Sequence, residues 1–291
     1  MSARERIRMA FEMEDPLELE IPGEPEEDPE PEVEEEHEPS VNVYRRFADI
    51  YDVFGSEDFC LAMTSYLLEA TEKYRIATGT VCADLACGTG VITVELAKAG
   101  FSMIGIDRSG EMLRHARKRS QRAGQKIRFY QMDMRDFVLE ERVPLVISTH
   151  DSLDHLYEPG DLKAAFRQCA YALRPGGYFM FDMNCWEGIR HLDGRTVFVE
   201  SEDRSGAYHL IARDQTLETN IVGFLRQKGN LYQRFDETLF QRCYPDEEIE
   251  RLLETYALAL VEKIPVQHLE GDVFKQLWIT RLPGQEMPEL L

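Results

Sequence analysis

The sequence predicts an α/β protein: a doubly wound, mainly parallel seven-stranded sheet with an antiparallel β insertion after the fifth strand. Three observations carry this expectation. Between Val81 and Asn184, short apolar runs alternate with segments of helical spacing, the pattern of a parallel sheet covered on both faces. From about Gly194 the spacing changes to consecutive strand-like runs, which read as antiparallel. A helical run and two more strand-like runs then return before Arg281.

In chain order, Val43–Phe54 and Phe59–Ala77 have helical apolar spacing. Val81–Ala86 is the first strand, Gly90–Ala99 a helix, Ser102–Asp107 a strand, and Ser109–Ala123 a helix with a basic outer face. Ile127–Met132 and Pro144–Thr149 are strands. Pro159–Ala172 is a helix closed by Arg174-Pro175-Gly176-Gly177, and Tyr178–Asn184 is the fifth strand. The insertion reads as strands at Thr196–Glu202, Tyr208–Glu218, Ile221–Gln227 and Tyr232–Arg242, with Lys228-Gly229-Asn230 turning between the last two. Asp246–Ala257 is a helix, followed by strands Leu258–Ile264 and Phe274–Arg281.

The net charge of −21 is unevenly placed. Residues 12–40 contribute −15 and residues 1–11 contribute +2, so residues 41–291 carry −8. With six prolines and few bulky apolar residues, residues 12–40 bury too little surface to offset their chain entropy. The expected organisation is therefore a disordered acidic tail over 1–40, an α/β domain over 41–193 and 246–291, and a β insertion over 194–245 placed to cap a site. The body lacks the clustered Lys/Arg that nucleic-acid binding needs. No apolar run is long enough to cross a membrane, and no signal-peptide stretch opens the chain. The six cysteines (60, 82, 87, 169, 185 and 243) form no CxxC pattern, and no metal-ligand spacing occurs. These features point to a reduced, cytoplasmic setting without nucleic-acid, membrane or metal partners. The expected oligomer, where one forms, is a homodimer.

The richest motif is Val81–Ala97, VCADLACGTGVITVELA. A strand ends near Asp84, and Gly88-Thr89-Gly90 turns into a helix, where glycines let a ligand approach the backbone. Asp107 ends the next strand, 23 residues after Asp84, where an acid can accept both hydroxyls of a ribose. The third glycine of a dinucleotide fingerprint is missing, and Asp84 would repel a pyrophosphate. Gln131-Met132-Asp133-Met134 ends the third strand with a carboxylate able to meet an adenine amino group. A sulfonium-bearing adenosyl ligand fits these features better than NAD does.

DLACGTG, GIDRSGEML, QMDMRDF and LRPGGYFMFDMN resemble, in order and spacing, the motifs of class I S-adenosylmethionine-dependent methyltransferases over residues 43–282. YRRFADIYD, THDSLDHLYEPGDL and QRFDETLFQRCY are similar to the narrower group of deoxyaminosugar N,N-dimethyltransferases and small bacterial methyltransferases without assigned acceptors. The resemblance implies S-adenosyl-L-methionine as cofactor. Ala86, Gly88 and Gly90 would flank its methionine part, Asp107 would hold the ribose, Arg108 and Met112 would lie near the adenine, and Asp133 and Met134 would clasp its edge. Tyr44 and Tyr51 match aromatic positions of an N-terminal helical lid; packing of an amphipathic helix is the alternative. Asp84 either bonds the loop or meets the ligand's ammonium group.

The fourth strand delivers His150, Asp151, Ser152, Asp154 and His155 to the carboxyl edge of the sheet, where open α/β sheets bind ligands. A histidine can take the proton that methyl transfer releases. The resemblance makes His155 the base or acceptor-orienting group and lets His150 touch the cofactor. The alternative has Asp154 or Ser152 capping a helix and His155 packing beneath the insertion. Arg234, Asp236 and Thr238 share one strand face and are candidates to face the same cleft. Cys87 has no sequence partner that would make it a nucleophile. The expected function is methyl transfer to N or O of a small-molecule acceptor. The competing readings are a non-catalytic S-adenosylmethionine-binding protein acting through protein interactions, and an enzyme whose acceptor is protein or RNA.

Overall fold

The computed structural model describes Tyr51 and residues 56–158 and 160–284; the acidic tail, Tyr44 and most of the expected Val43–Phe54 helix lie outside them. The first helix, α1 (Ser56–Lys73), ends earlier than its spacing suggests, because Arg75 takes a left-handed conformation at φ 56°. Strands β1 (Val81–Leu85), β2 (Ser102–Asp107), β3 (Arg128–Gln131) and β4 (Val143–Ser148) follow, with helices α2 (Val91–Lys98) and α3 (Gly110–Arg122) between the first three. A 3-10 turn (Ser152–His155), α4 (Asp161–Ala172) and β5 (Leu173–Asn184) complete the first half. Beyond a short helix, α5 (Trp186–Ile189), come β6 (Thr196–Glu200), β7 (Arg204–Arg213), β8 (Thr216–Arg226) and β9 (Tyr232–Arg242). The chain closes with α6 (Asp246–Thr255), β10 (Ala259–Leu269) and β11 (Asp272–Arg281).

Seven strands form one sheet in the order β10-β11-β5-β4-β1-β2-β3. The pairs from β3 to β5 are parallel, and β11 is antiparallel to both of its neighbours. The expected mainly parallel sheet is thus the observed one. Its strands alternate between two cores, as a period of two requires. Ala83, Leu85, Val146, Phe179, Phe181 and Trp278 pack on one face with Phe166 of α4. Cys82, Leu145, Ile147, Met180, Leu277 and Ile279 pack on the other with Met63 and Leu67 of α1. Helix α3 shows how sequence sets an element's limits. Ser109 accepts the Met112 amide at 3.2 Å, Glu111 sits in the first turn, and Arg119 and Arg122 sit in the last, matching the helix dipole at both ends.

The insertion is a separate four-stranded antiparallel sheet, β6-β7-β8-β9. The expected single strand Tyr208–Glu218 is instead the end of β7, a turn and the start of β8. Asp214 and Gln215 both adopt positive φ, 49° and 61°, the geometry of a two-residue hairpin of type I′. The register puts Tyr208, Ile221 and Glu237 in one row, with Leu210, Thr219 and Leu239 in a neighbouring row on the same face. This is the buried face. Phe235 lies across Gly223, where an added Cβ would come within 2.1 Å of its ring. Arg234, Asp236 and Thr238 do share a face, but it is the opposite one: the side chains of Arg234 and Asp236 are 62% and 57% exposed. Strand alternation gives parity correctly and leaves the choice of face to packing. Among the described residues no helix is long and apolar enough to cross a membrane.

Candidate active site

An open cavity lies beyond the carboxyl ends of β1, β2, β3 and β4, the edge at which open α/β sheets bind ligands. Tyr51, Ala86, Gly88, Asp107, Arg108, Met112, Asp133, Met134, His150 and His155 line it, together with Met132, Ser152 and Leu156. The structure brings the first ten together from the residues that the sequence singles out. Ser152 belongs to the polar set expected after the fourth strand, whereas Met132 and Leu156 are assigned no role from sequence although both sit inside the quoted runs.

The loop after β1 is fastened to β2. Asp107 accepts the amides of Gly88 and Ser109, both at 2.8 Å, one on each carboxylate oxygen. Each oxygen keeps a further lone pair for a ligand. Burial raises the Asp107 carboxyl, and the two amide bonds oppose the shift. Gly90 opens α2 at φ 77°, and an added Cβ would stand 2.9 Å from that of Ala116. Gly90 therefore serves the approach of α3 and does not line the cavity. Asp84 is also behind the wall. It is 2% exposed, accepts Thr93 Oγ1 at 2.5 Å, and burial pushes its carboxyl up to about 7. That bond ties β1 to helix α2, which follows the glycine loop. At the third strand, Asp133 lines the cavity but is gripped by Arg135 through both oxygens, at 2.9 and 2.7 Å. Burial pushes this carboxyl up, and the Arg135 bonds and charge outweigh it, leaving a net lowering.

The loop after β4 is built differently. His150 and Asp151 are consecutive left-handed residues, with φ of 62° and 51°, a geometry costing roughly 1–2 kcal/mol per non-glycine residue. Asp182 of β5, fully buried, accepts both of their amides at 2.7 and 2.6 Å. Hydrogen bonds to charged groups are worth about 1.5–3 kcal/mol each and offset that strain. Asp151 is bonded by Lys275 of β11 and by Gln241 of β9. The His150 ring stands edge-on to Phe59 at 4.8 Å and 5.6 Å from Tyr51. Its Nδ1 is 3.7 Å from the Cys60 sulfur. Burial lowers His150 to about 4, so the ring is neutral near pH 7.

His155 Nδ1 lies 3.1 Å from the carbonyl of Phe240 in β9. A carbonyl can only accept, so Nδ1 carries the proton and Nε2 is the basic nitrogen. Burial lowers His155 as well, against the pull of Asp151. The two readings of His155 are not exclusive, since the residue contacts the insertion and lines the cavity. Neither Ser152 nor Asp154 caps a helix. Ser152 donates to Thr149 O at 2.6 Å, and Asp154, fully buried, accepts the Asn184 amide at 2.9 Å. Burial raises the Asp154 carboxyl strongly. The Tyr244 hydroxyl donates to Leu156 O and pins the end of the loop. Among the described residues no group of His, Cys, Asp or Glu could hold a metal.

The cavity thus has a charged end, with Asp107, Arg108 and Asp133, and an uncharged end, with His150, Ser152, His155 and Leu156. An adenosyl ligand fits the charged end: Asp107 has spare lone pairs for ribose hydroxyls, and Met112, Met132 and Met134 offer apolar walls for a purine. Lys275, Asp182 and Gln241, which brace the other end, are not foreseen from sequence. One signal was available: an acid inside the apolar run FMFDMN is costly unless partnered.

Comparison with known proteins agrees with this geometry. Residues 82–177 match the family described as "Methyltransferase domain". YqeM of Bacillus subtilis (strain 168), provisionally named a methyltransferase, is 34% identical over 223 residues, covering 75% of this chain and 87% of that protein. The dTDP-3-amino-3,4,6-trideoxy-alpha-D-glucopyranose N,N-dimethyltransferase of Streptomyces venezuelae is 33% identical over 135 residues, covering 45% of this chain and 54% of that one. The crystal structure of an S-adenosylmethionine-dependent methyltransferase from Clostridium acetobutylicum ATCC 824 superposes with a TM-score of 0.72 at 26% identity, covering 84% of this chain and all of that one.

Proposed function

Because this chain belongs to the class I S-adenosylmethionine-dependent methyltransferases, we propose that it methylates a nitrogen or oxygen of a small-molecule acceptor, with His155 as the proton-accepting group. S-adenosyl-L-methionine is the cofactor, and when bound it supplies an electrophilic methyl on a sulfonium. In this reading Asp107 holds the ribose, Ala86 and Gly88 flank the methionine part, and Arg108, Met112, Asp133 and Met134 surround the adenine. His150 and Tyr51 bound the passage to the acceptor, whose nucleophile must stand in line with the methyl group.

The observation that carries the acid–base assignment is the hydrogen bond of His155 Nδ1 to Phe240 O. It fixes the tautomer with Nε2 as the base, and the lowered pKa keeps the ring unprotonated near neutrality. A sulfonium methyl requires a nucleophile with a free lone pair, and in this reading His155 exposes that lone pair by taking the acceptor's proton. The uncharged walls of this half of the cavity favour an uncharged or amine-bearing acceptor over an anionic one. Residues 194–245 act as a cap over the acceptor, consistent with β9 reaching both His155 and Asp151. The Streptomyces relative, named for an amino-sugar nitrogen, makes amino sugars the first acceptors to try.

The test is release of S-adenosylhomocysteine against a panel of small amines, amino sugars and phenols, alongside protein and RNA. Turnover with a small molecule is expected. Tight S-adenosylmethionine binding with no turnover across the panel would instead favour a non-catalytic binding protein.

A further inference from the structure

A buried cluster behind the cavity does more than fasten strands. Lys275 of β11 is 4% exposed in its side chain, Asp182 of β5 is fully buried, and Asp151 is 17% exposed. Lys275 bonds Asp151 and stands 3.6 Å from Asp182. Removing three charges from water is expensive, and a well-packed apolar trio could join these strands at lower cost. The positions of the bonds show what the charges are used for. Asp182 spends both oxygens on the amides of His150 and Asp151. Asp151 spends its own on Lys275 and on Gln241. The Lys275 ammonium also lies 4.6 Å over the Phe59 ring, the same ring that stands edge-on to His150 at 4.8 Å. Backbone and side chain of His150 are therefore both held by groups that Lys275 touches.

We propose that Lys275 is a positioning residue for the cofactor cavity: with Asp151 and Asp182 it forms an ion triplet that holds the left-handed His150–Asp151 pair and sets the His150 ring in the cavity wall. A buried carboxylate without a cation favours protonation, and the second acid beside Asp182 adds repulsion to that cost. A protonated Asp182 would lose one of its two acceptor oxygens to a hydroxyl. Lys275 opposes this by setting one ammonium against both acids. Gln241 ties the same carboxylate to the insertion, so the wall and the cap are set by one cluster.

The inference rests on the cavity being the cofactor site, and the experiment separates the two claims. Lys275→Met alone would strand two buried carboxylates, so the main variant is the charge-balanced Lys275→Met/Asp151→Asn in the full chain. Calorimetry with S-adenosylhomocysteine first establishes binding to the wild type; absence of binding there would overturn the site itself. The double variant is expected to keep a cooperative thermal transition, to lose the nuclear Overhauser contact between the His150 and Phe59 rings, and to bind S-adenosylhomocysteine about tenfold more weakly, a coupling of ordinary size for side chains in one network. In a His150→Ala background the same two changes should cost nothing further, because the effect passes through His150. Retention of the ring contact and of wild-type affinity in the double variant would reduce the triplet to an ordinary structural ion pair. A measurement on the wild type covers the case in which the variant does not fold. The His150 and Asp151 amides are expected far downfield and slow to exchange, and exchange at the rate of an open loop would overturn the proposal.

Discussion

Replacing Asp107 by alanine removes the acceptor of two backbone amides and the proposed ribose anchor in one step. The two losses have different sizes. Gly88 and Ser109 are only partly buried, so water re-enters at their amides, and the stability loss stays at about 1–2 kcal/mol, the low end for a donor left unpaired. The cofactor loses a charged acceptor for its hydroxyls, a bond of about 1.5–3 kcal/mol. Allowing for water that replaces it, the dissociation constant of S-adenosylhomocysteine should rise roughly ten- to a hundredfold. Asp107→Asn should fall between wild type and alanine, since it keeps one acceptor oxygen but presents an NH₂ group to the second amide. The assay is isothermal titration calorimetry at one pH, with thermal unfolding run in parallel. An alanine variant that unfolds normally and binds with wild-type affinity would refute both the ribose assignment and the reading of the cavity's charged end.

Three other outcomes follow from the same geometry. Gly90→Ala should cost about 2–4 kcal/mol in urea unfolding, combining left-handed strain with a Cβ pressed against Ala116; a loss below half a kilocalorie would mean that α3 moves aside freely. His150 sits near 4 in the folded chain against 6.5 when free, so the unfolded chain takes the proton first as pH falls. Its stabilisation is complete above about pH 6.5 and is lost towards pH 4. The stability difference between wild type and His150→Gln should therefore change by up to about 3 kcal/mol across that window, and a flat difference would show a solvated ring. His155→Ala should cut turnover about 10²- to 10⁴-fold with the first acceptor found while sparing cofactor affinity; full turnover with an unchanged pH profile removes His155 from the mechanism.

What the sequence disclosed and what it withheld divide along the range of the interaction. The strand–turn–helix at Val81–Ala97 and the acids ending β2 and β3 are local signals, and the cavity assembles around them as expected. Asp84 and Gly90 belong to the same motifs, yet spacing does not distinguish a residue that touches the ligand from one that holds the loop. The Asp214-Gln215 turn is weakly marked in the sequence, because Asp214 tolerates the left-handed region but the glycine that usually follows it is replaced by Gln215, at φ 61°. Lys275 reads as an ordinary polar residue in a strand. Its partner Asp151 lies 124 positions away, and only the sheet order that sets β11 beside β5 brings them together.

The attachment of the insertion bears on how such proteins diversify. Its sheet is entered on β6 and left on β9, its two edge strands, at the same end of the sheet. An insertion that begins and ends at one end of its own sheet can be exchanged between homologues without rethreading the parent sheet. At the cavity the tail of β9 resists free exchange, because Phe240 and Gln241 reach into the body at His155 and Asp151. A graft that spares these two positions should inherit a new acceptor pocket while keeping the recipient's nucleotide half, whereas a graft that overwrites them must be re-fitted to the recipient's histidine loop.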